Sequence, residues 1–333
     1  MNSATVFAPS PTLTVTIESH PSGDDVHLHA GGQGVWQARM LTLLGVDVTL
    51  CALLSGESGL VIRTLLEREG ITIDAIERGD RGSAYIHDRR DGERRTIAEQ
   101  RATTPGRHEM DELYSLTLSR GIDTGLVVLS GPPHDEIPVE IYHRLASDLR
   151  RGGARVVVDL AGERLDAALR GGVSILKLSD EELAADESGG STADLTERMS
   201  ELRSRGAETV ILTRASQPAL LLDAEGLAEI AVPRFEIADH RGAGDSLTAG
   251  VVAGIARGQT VREAVTLGAA AGALNVTRHG LGTGHRDAIE GLRDQVSVRV
   301  VESAATPADG RVTPDDLAAM TTPEQTGRGR EAL

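Results

Sequence analysis

Between residues 126 and 212 the chain alternates short apolar runs with helical stretches. Runs of Val, Ile and Leu at 126–129, 156–159, 175–178 and 209–212 are separated by helix-type patterns at 138–151, 163–169 and 192–205. Each run is apolar at nearly every position, the signature of a strand buried on both faces. Strands of that kind joined by helices predict a parallel sheet covered on two sides, an α/β architecture. The flanking segments fit the same plan. A strand is expected at 13–17, a short second one at 26–29 and a helix at 34–44 fed by Gly31 and Gly32. A buried-type strand follows at 47–54, then a helix at 58–69. Shorter, more polar strands at 71–76, 83–87 and 94–98 predict a small peripheral sheet. A hairpin is expected from 219–222 and 227–232 around Gly226, and two Ala- and Gly-rich helices at 245–257 and 260–277 close the domain. Past residue 295 the composition turns to Thr, Pro, Gly and charge, which reads as a flexible tail over 295–333.

Composition excludes several classes of function. The 34 basic and 50 acidic residues leave a net charge of −16, so the averaged field repels nucleic acid and anionic lipid, and neither is an expected partner. No apolar run approaches the roughly 18 residues of a membrane helix. One cysteine, Cys51, stands inside an apolar run, so an intrachain disulfide or thiolate metal cluster is impossible. The first residues lack a basic stretch followed by an apolar core, so no secretory leader is expected and the cytoplasm is the expected compartment. Lys177 is the single lysine, and no Gly-Lys-Ser/Thr loop accompanies it, so a Walker-type phosphate site is ruled out.

The sharpest local feature is His240-Arg241-Gly242-Ala243-Gly244-Asp245-Ser246 ahead of a long small-residue helix. Small residues let a ligand approach the backbone, and the unpaired amides of a first helical turn favour an anion. Asp245 or Ser246 serving only as a helix cap is an equally open reading. A carboxylate in an anion-binding turn is repelled by the anion unless it has a task, and accepting a proton from an attacking hydroxyl is such a task.

These residues resemble the second signature of the ribokinase-like, or PfkB, carbohydrate kinases, and further segments match in order. Gly31-Gly32-Gln33-Gly34-Val35-Trp36-Gln37-Ala38-Arg39 resembles the first signature. Ser130-Gly131-Pro132-Pro133 resembles a segment of the phosphofructokinase branch, Lys177-Leu178-Ser179-Asp180-Glu181-Glu182-Leu183 resembles its magnesium motif, and Thr213 opens the nucleotide loop. The resemblance implies a three-layer α/β/α sandwich over residues 12–294, with a mostly parallel sheet and a small, reduced β lid drawn from 18–30 and 71–100. It implies phosphoryl transfer from ATP, with Mg²⁺, to a sugar or sugar phosphate, fructose 1-phosphate being the first choice. Asp245 would be the general base, and the amides of Gly242, Ala243 and Gly244 would stabilise the transferring phosphoryl. Gly31, Gly32 and Gln33 would contact the sugar, with Asp25 the carboxylate available beside them. Lys177, Thr213, Arg241 and Gly244 would serve the nucleotide, and Glu182 the metal. Pairing of two copies into a homodimer is compatible with the resemblance.

The sequence departs from the family pattern at Gln33, Trp36, Pro132, Ser179 and the loop 213–218. Those departures keep two other readings open: a kinase of an unphosphorylated sugar or nucleoside, and a sugar- or nucleotide-binding sensor without turnover. Trp36 fits core packing or stacking on a sugar. Arg81, Arg89, Arg90, Arg94 and Arg95 form either a solvated face or an anion grip, and His27 and His29 are expected at the surface.

Overall fold

The computed structural model describes residues 2–183, 191–215, 217–233, 241–276 and 284–301. In chain order the elements begin with β1 (Ser3–Phe7), β2 (Thr12–His20), β3 (Gly23–Gly31), α1 (Gln33–Leu43), β4 (Asp47–Ser55), α2 (Gly56–Arg68) and β5 (Thr72–Arg78). They continue with β6 (Ser83–Asp88), β7 (Arg95–Gln100), α3 (Arg107–Thr124), β8 (Leu126–Ser130), α4 (Glu140–Arg151), β9 (Arg155–Asp159), α5 (Gly162–Gly171) and β10 (Val173–Ser179). The last are α6 (Asp180–Leu183), α7 (Thr192–Ser204), β11 (Ala207–Arg214), β12 (Gln217–Asp223), β13 (Gly226–Ala231), α8 (Ala243–Ala256), α9 (Val261–Asn275), α10 (Arg286–Arg293) and β14 (Ser297–Val300).

The main sheet runs β14-β13-β12-β11-β10-β9-β8-β1-β4-β5. From β11 to β5 all neighbours are parallel, and β12, β13 and β14 add an antiparallel margin. Alternate residues of each strand feed two cores. Val6, Leu50 and Val128 pack with α1, α8 and α9 on one face, whereas Phe7, Cys51 and Leu129 pack with α3, α4 and α5 on the other. This is the expected sandwich. Strand order reverses beside β1, which lies between β4 and β8, and such a reversal opens a crevice at the carboxyl ends of the strands.

Several elements differ from the sequence expectation. The sheet begins at β1, ahead of residue 12, in a run buried on both faces. The alternating segment from residue 12 belongs instead to the second sheet, β3-β2-β6-β7, because its half-exposed pattern suits a sheet with one wet face. The lid is therefore four-stranded, with nine residues in each of the hairpin strands β2 and β3. Strand β5, expected in the peripheral sheet, pairs in parallel with β4 as an edge strand of the main sheet. Helix α3 is an addition: its buried residues Met110, Leu113 and Thr117 are interleaved with charge, and Gly121 lets the helix close on Leu149 and Val127. The stretch read as a tail starts with β14, which pairs with β13; the rest of that stretch lies outside the described residues.

Helices α8 and α9 pack backbone against backbone. A β-carbon on Gly250 would stand 2.6 Å from the Gly268 Cα, one on Gly268 would stand 2.6 Å from the Leu247 oxygen, and one on Gly272 would stand 2.9 Å from the Ala243 oxygen. The small residues of these helices thus set where α8 begins. Gly268→Leu is expected to destabilise the protein by at least about 1–3 kcal/mol through overpacking, read as a lower midpoint in urea denaturation.

Candidate active site

Helices α1 and α8 start at the same crevice. Gly34 allows it for α1, since a β-carbon there would stand 2.6 Å from Ala8 Cβ, just past β1, and 3.2 Å from Ser130 Cβ, at the end of β8. Gly32 caps α1 at φ +104°, and Gly242 caps α8 in the left-handed region at φ +74°, conformations that favour glycine. The N-cap of α8 is Gly242 and has no side-chain cap, so Asp245 and Ser246 lie inside the helix rather than capping it. The amides of Ala243, Gly244 and Asp245 precede the first intrahelical bond, Ser246 N–H to Gly242 O at 2.9 Å.

Asp245 is buried, 9% exposed, and sits in a polar cluster built from the strands β8, β9 and β10 and the helices α1 and α8. The Gln37 amide nitrogen donates to Asp245 Oδ1 at 3.4 Å and to Asp159 Oδ2 at 3.2 Å. Ser130 Oγ donates to Gln37 Oε1 at 2.5 Å. Lys177 Nζ donates to Asp159 Oδ1 at 3.1 Å, and Thr248 Oγ1 donates to Asp159 Oδ2 at 3.0 Å. Asp159 is thus bonded at both oxygens. Burial, the Asp159 charge and that of Glu182 push the Asp245 carboxyl well above the usual carboxylate range, against the opposing pull of Lys177 and Gln37. Burial works against the Lys177 charge, but Asp159, Glu182 and Asp245 outweigh it and hold the ammonium above its ordinary range. Gly244 leaves room for that ammonium: a β-carbon there would stand 2.5 Å from Nζ.

The other expected residues fall into two groups. Gln33, one turn before Gln37, accepts the Gly131 amide at 2.9 Å, and Gly31 and Gly32 lie just ahead of it. Thr213, the last residue but one of β11, lies opposite Ser179 and donates to Leu178 O at 3.3 Å. Glu182 accepts the Ser179 amide at 2.7 Å and its hydroxyl at 2.9 Å, at the exit of β10. Arg241 is exposed, and its carbonyl accepts from Asn275 at 2.7 Å. All of these gather at the carboxyl ends of the parallel strands. Asp25 does not join them; it lies on the exposed lid arm, paired with His27 at 3.2 Å. Trp36 is half-buried, with its indole beside Gly31, so it lines the junction of lid and body and not the core.

The lid turns a polar face to the body. Thr14, His29 and Tyr85 lie in register across β2, β3 and β6, as do Thr16, His27 and His87. Tyr85 Oη is 3.0 Å from His134 Nε2, and Glu99 pairs with the same nitrogen at 2.9 Å, so the loop after β8 meets the lid directly. Arg164 holds that loop through His134 O at 2.5 Å and Asp135 at 2.9 Å. Burial, with the charges of Arg94, Arg241 and Arg89, pushes His87 down to about 4. A neutral His87 accepts from Arg94, and its other nitrogen lies 3.2 Å from Thr96 Oγ1. The lid therefore brings Arg94 toward the side of the molecule where Arg241 stands. Arg89, Arg90 and Arg95 are engaged with Glu18, Asp88 and Asp24.

A model of the pfkB family of carbohydrate kinases matches residues 8–288. The chain belongs to that family. As a pfkB carbohydrate kinase it is an enzyme that binds ATP. It is 29% identical to a 1-phosphofructokinase of Bacillus subtilis, over 77% of this chain and 84% of that one. It is 28% identical to the ATP-dependent 6-phosphofructokinase isozyme 2 of Escherichia coli, over 82% of this chain and 92% of that one. The crystal structure of phosphofructokinase-2 from Escherichia coli in complex with potassium shares the fold, with a TM-score of 0.78 at 24% identity, covering 88% of this chain and 99% of that one. Among the described residues no helix is long and apolar enough to cross a membrane.

Asp159, Gln37, Ser130 and Thr248 belong to the polar cluster although none of them was expected as a site residue. Asp159 ends an apolar strand, and a carboxylate in that place is the one available signal. Removing either member of the Asp159–Lys177 pair strands a buried charge, so Lys177→Met is expected to cost about 3–5 kcal/mol in urea denaturation, with part of the loss recovered in the double variant with Asp159→Asn.

Proposed function

We propose that this pfkB kinase transfers the γ-phosphoryl of ATP to a hydroxyl of a sugar phosphate, with Asp245 as general base. The observation that carries the reading is the position of Asp245: a carboxylate of raised proton affinity in the first turn of α8, among backbone amides and beside the buried Lys177. In the reaction Asp245 takes the hydroxyl proton while the acceptor oxygen bonds to phosphorus and the bond to the leaving diphosphate breaks. The amides of Gly242, Ala243 and Gly244 take up charge on the transferring group, a few kcal/mol per donor in comparable sites. Gly31, Gly32 and Gln33 receive the sugar, and Arg94, braced by His87, suits a phosphate already on the acceptor. Lys177, Thr213 and Arg241 serve the nucleotide. The named relatives support fructose phosphates as acceptors, fructose 1-phosphate first.

Among the described residues no three His, Cys, Asp or Glu side chains converge on a metal-holding group. That donor set fits Mg²⁺ carried largely by phosphates and water, with Glu182 as the carboxylate that would hold it. When bound, the cation supplies charge neutralisation at the phosphates.

Two outcomes are expected. Coupled assays with ATP over fructose 1-phosphate, fructose 6-phosphate, free hexoses, pentoses and nucleosides give the highest kcat/KM for a fructose phosphate, and Asp245→Asn lowers kcat about 10²–10⁴-fold while nucleotide binding persists. Nucleotide binding with no turnover on any acceptor favours the sensor reading, and turnover on free sugars alone favours the unphosphorylated one. A base must be ionised to act. Because the folded protein raises the Asp245 pKa, kcat/KM rises with pH through that elevated value, so its acid limb lies well above the usual carboxylate range in a pH–rate profile.

A further inference from the structure

We propose that Gln37 is a positioning residue of the phosphoryl transfer, its side-chain amide holding Asp245 and Asp159 in a single arrangement. The inference rests on the reading of Asp245 as the base. Gln37 is fully buried, on a face of α1 otherwise built from Gly34, Val35, Ala38, Met40 and Leu41. An apolar side chain would satisfy packing there, and an unpaired amide would be costly. The amide is instead used in every direction. Its two N–H bonds go to Asp159 Oδ2 at 3.2 Å and Asp245 Oδ1 at 3.4 Å, and its oxygen takes the Ser130 hydroxyl at 2.5 Å.

The amide orientation follows from its neighbours. Reversed, its oxygen would face two carboxylates and its nitrogen a hydroxyl that is itself fixed by the end of β8. Tyr142 adds to that anchor by donating to Ser130 O at 3.1 Å. The bond from Gln37 is the side-chain hydrogen bond that Asp245 makes among the described residues, and it engages Oδ1. No side-chain bond to Oδ2 is seen among the described residues, and that oxygen is assigned to the acceptor. The charged groups that act on Asp245 from the other elements are Asp159 of β9, Lys177 of β10 and Glu182 of α6. None of them is a rigid donor to it, so without Gln37 the carboxylate loses both a fixed rotamer and a screen against Asp159.

The test is carbon-13 NMR of protein labelled at aspartate carboxyls, with the Asp245 resonance identified by its loss in Asp245→Asn, alongside kinetics on the acceptor found by the assays above. In Gln37→Met the Asp245 titration midpoint is expected to move to higher pH by about one unit, a tenfold gain in proton affinity. The acid limb of kcat/KM moves with it, and kcat falls about 10-fold while the KM for ATP stays within twofold. A merely structural role would lower the active fraction equally at every pH and move neither midpoint. Should Gln37→Met not fold, Ser130→Ala frees the amide to turn and is expected to move the midpoint in the same direction. An unmoved midpoint in a folded variant overturns the proposal and leaves Asp245 as base if Asp245→Asn is inactive. Full turnover by Asp245→Asn overturns the base reading, and the positioning role with it.

Discussion

Two carboxylates share one water-poor place in this enzyme, and one ammonium and one amide make that tolerable. Asp159 is bonded at both oxygens, to Lys177, Thr248 and Gln37, and so serves as a fixed counter-charge. Among the described residues Asp245 receives the long bond from Gln37, and it keeps a raised proton affinity. Like charges in a shared low-dielectric site push proton affinities apart, and the less compensated group becomes the one suited to exchange protons. The chain spends its single lysine on this balance.

The fold delivers these groups without relying on long loops. Asp159 and Lys177 lie opposite each other near the ends of neighbouring parallel strands, Gln37 lies one turn into α1, and Asp245 and Thr248 lie in the first turns of α8. All sit at the crevice that the strand reversal beside β1 creates. Close packing of α8 on α9 through Gly250, Gly268 and Gly272 sets the height at which the α8 amides and carboxylate emerge. Rigid elements place a reacting group more exactly than loops do, which is what proton transfer at hydrogen-bond range requires. Above this platform the lid carries the opposite economy. Its polar face meets the body through Tyr85, Glu99 and His134, and its arginines are braced by carboxylates or by His87.

Much of this was legible before any coordinates. The turn from Gly242 to Asp245, the double glycine, the layered α/β plan and the burial of Cys51 follow from residue type and spacing, because helix starts and doubly buried strands impose narrow local demands. Other features were not. The run 3–7, with Ser3 and Thr5 among its apolar residues, does not read as a buried strand, and 13–17 has a strand pattern that does not say to which sheet it belongs. Asp25 looked suitable by its nearness in sequence to the double glycine, yet a nine-residue hairpin arm carries it away, since a strand rises about 3.3 Å per residue. Lys177 could equally have been a surface residue until its partner was seen.

The sequence by itself determined the class of architecture and the segment where an anion and a carboxylate would meet, because periodicity, glycine placement and helix capping are properties of a few consecutive residues. Only the tertiary structure decided that Gln37, Ser130, Asp159, Lys177 and Thr248 converge on Asp245. Gln37 and Asp245, which share a hydrogen bond, are 208 positions apart in the chain, and the charge balance among these residues exists only once strand order and helix packing have excluded water from the place where they meet.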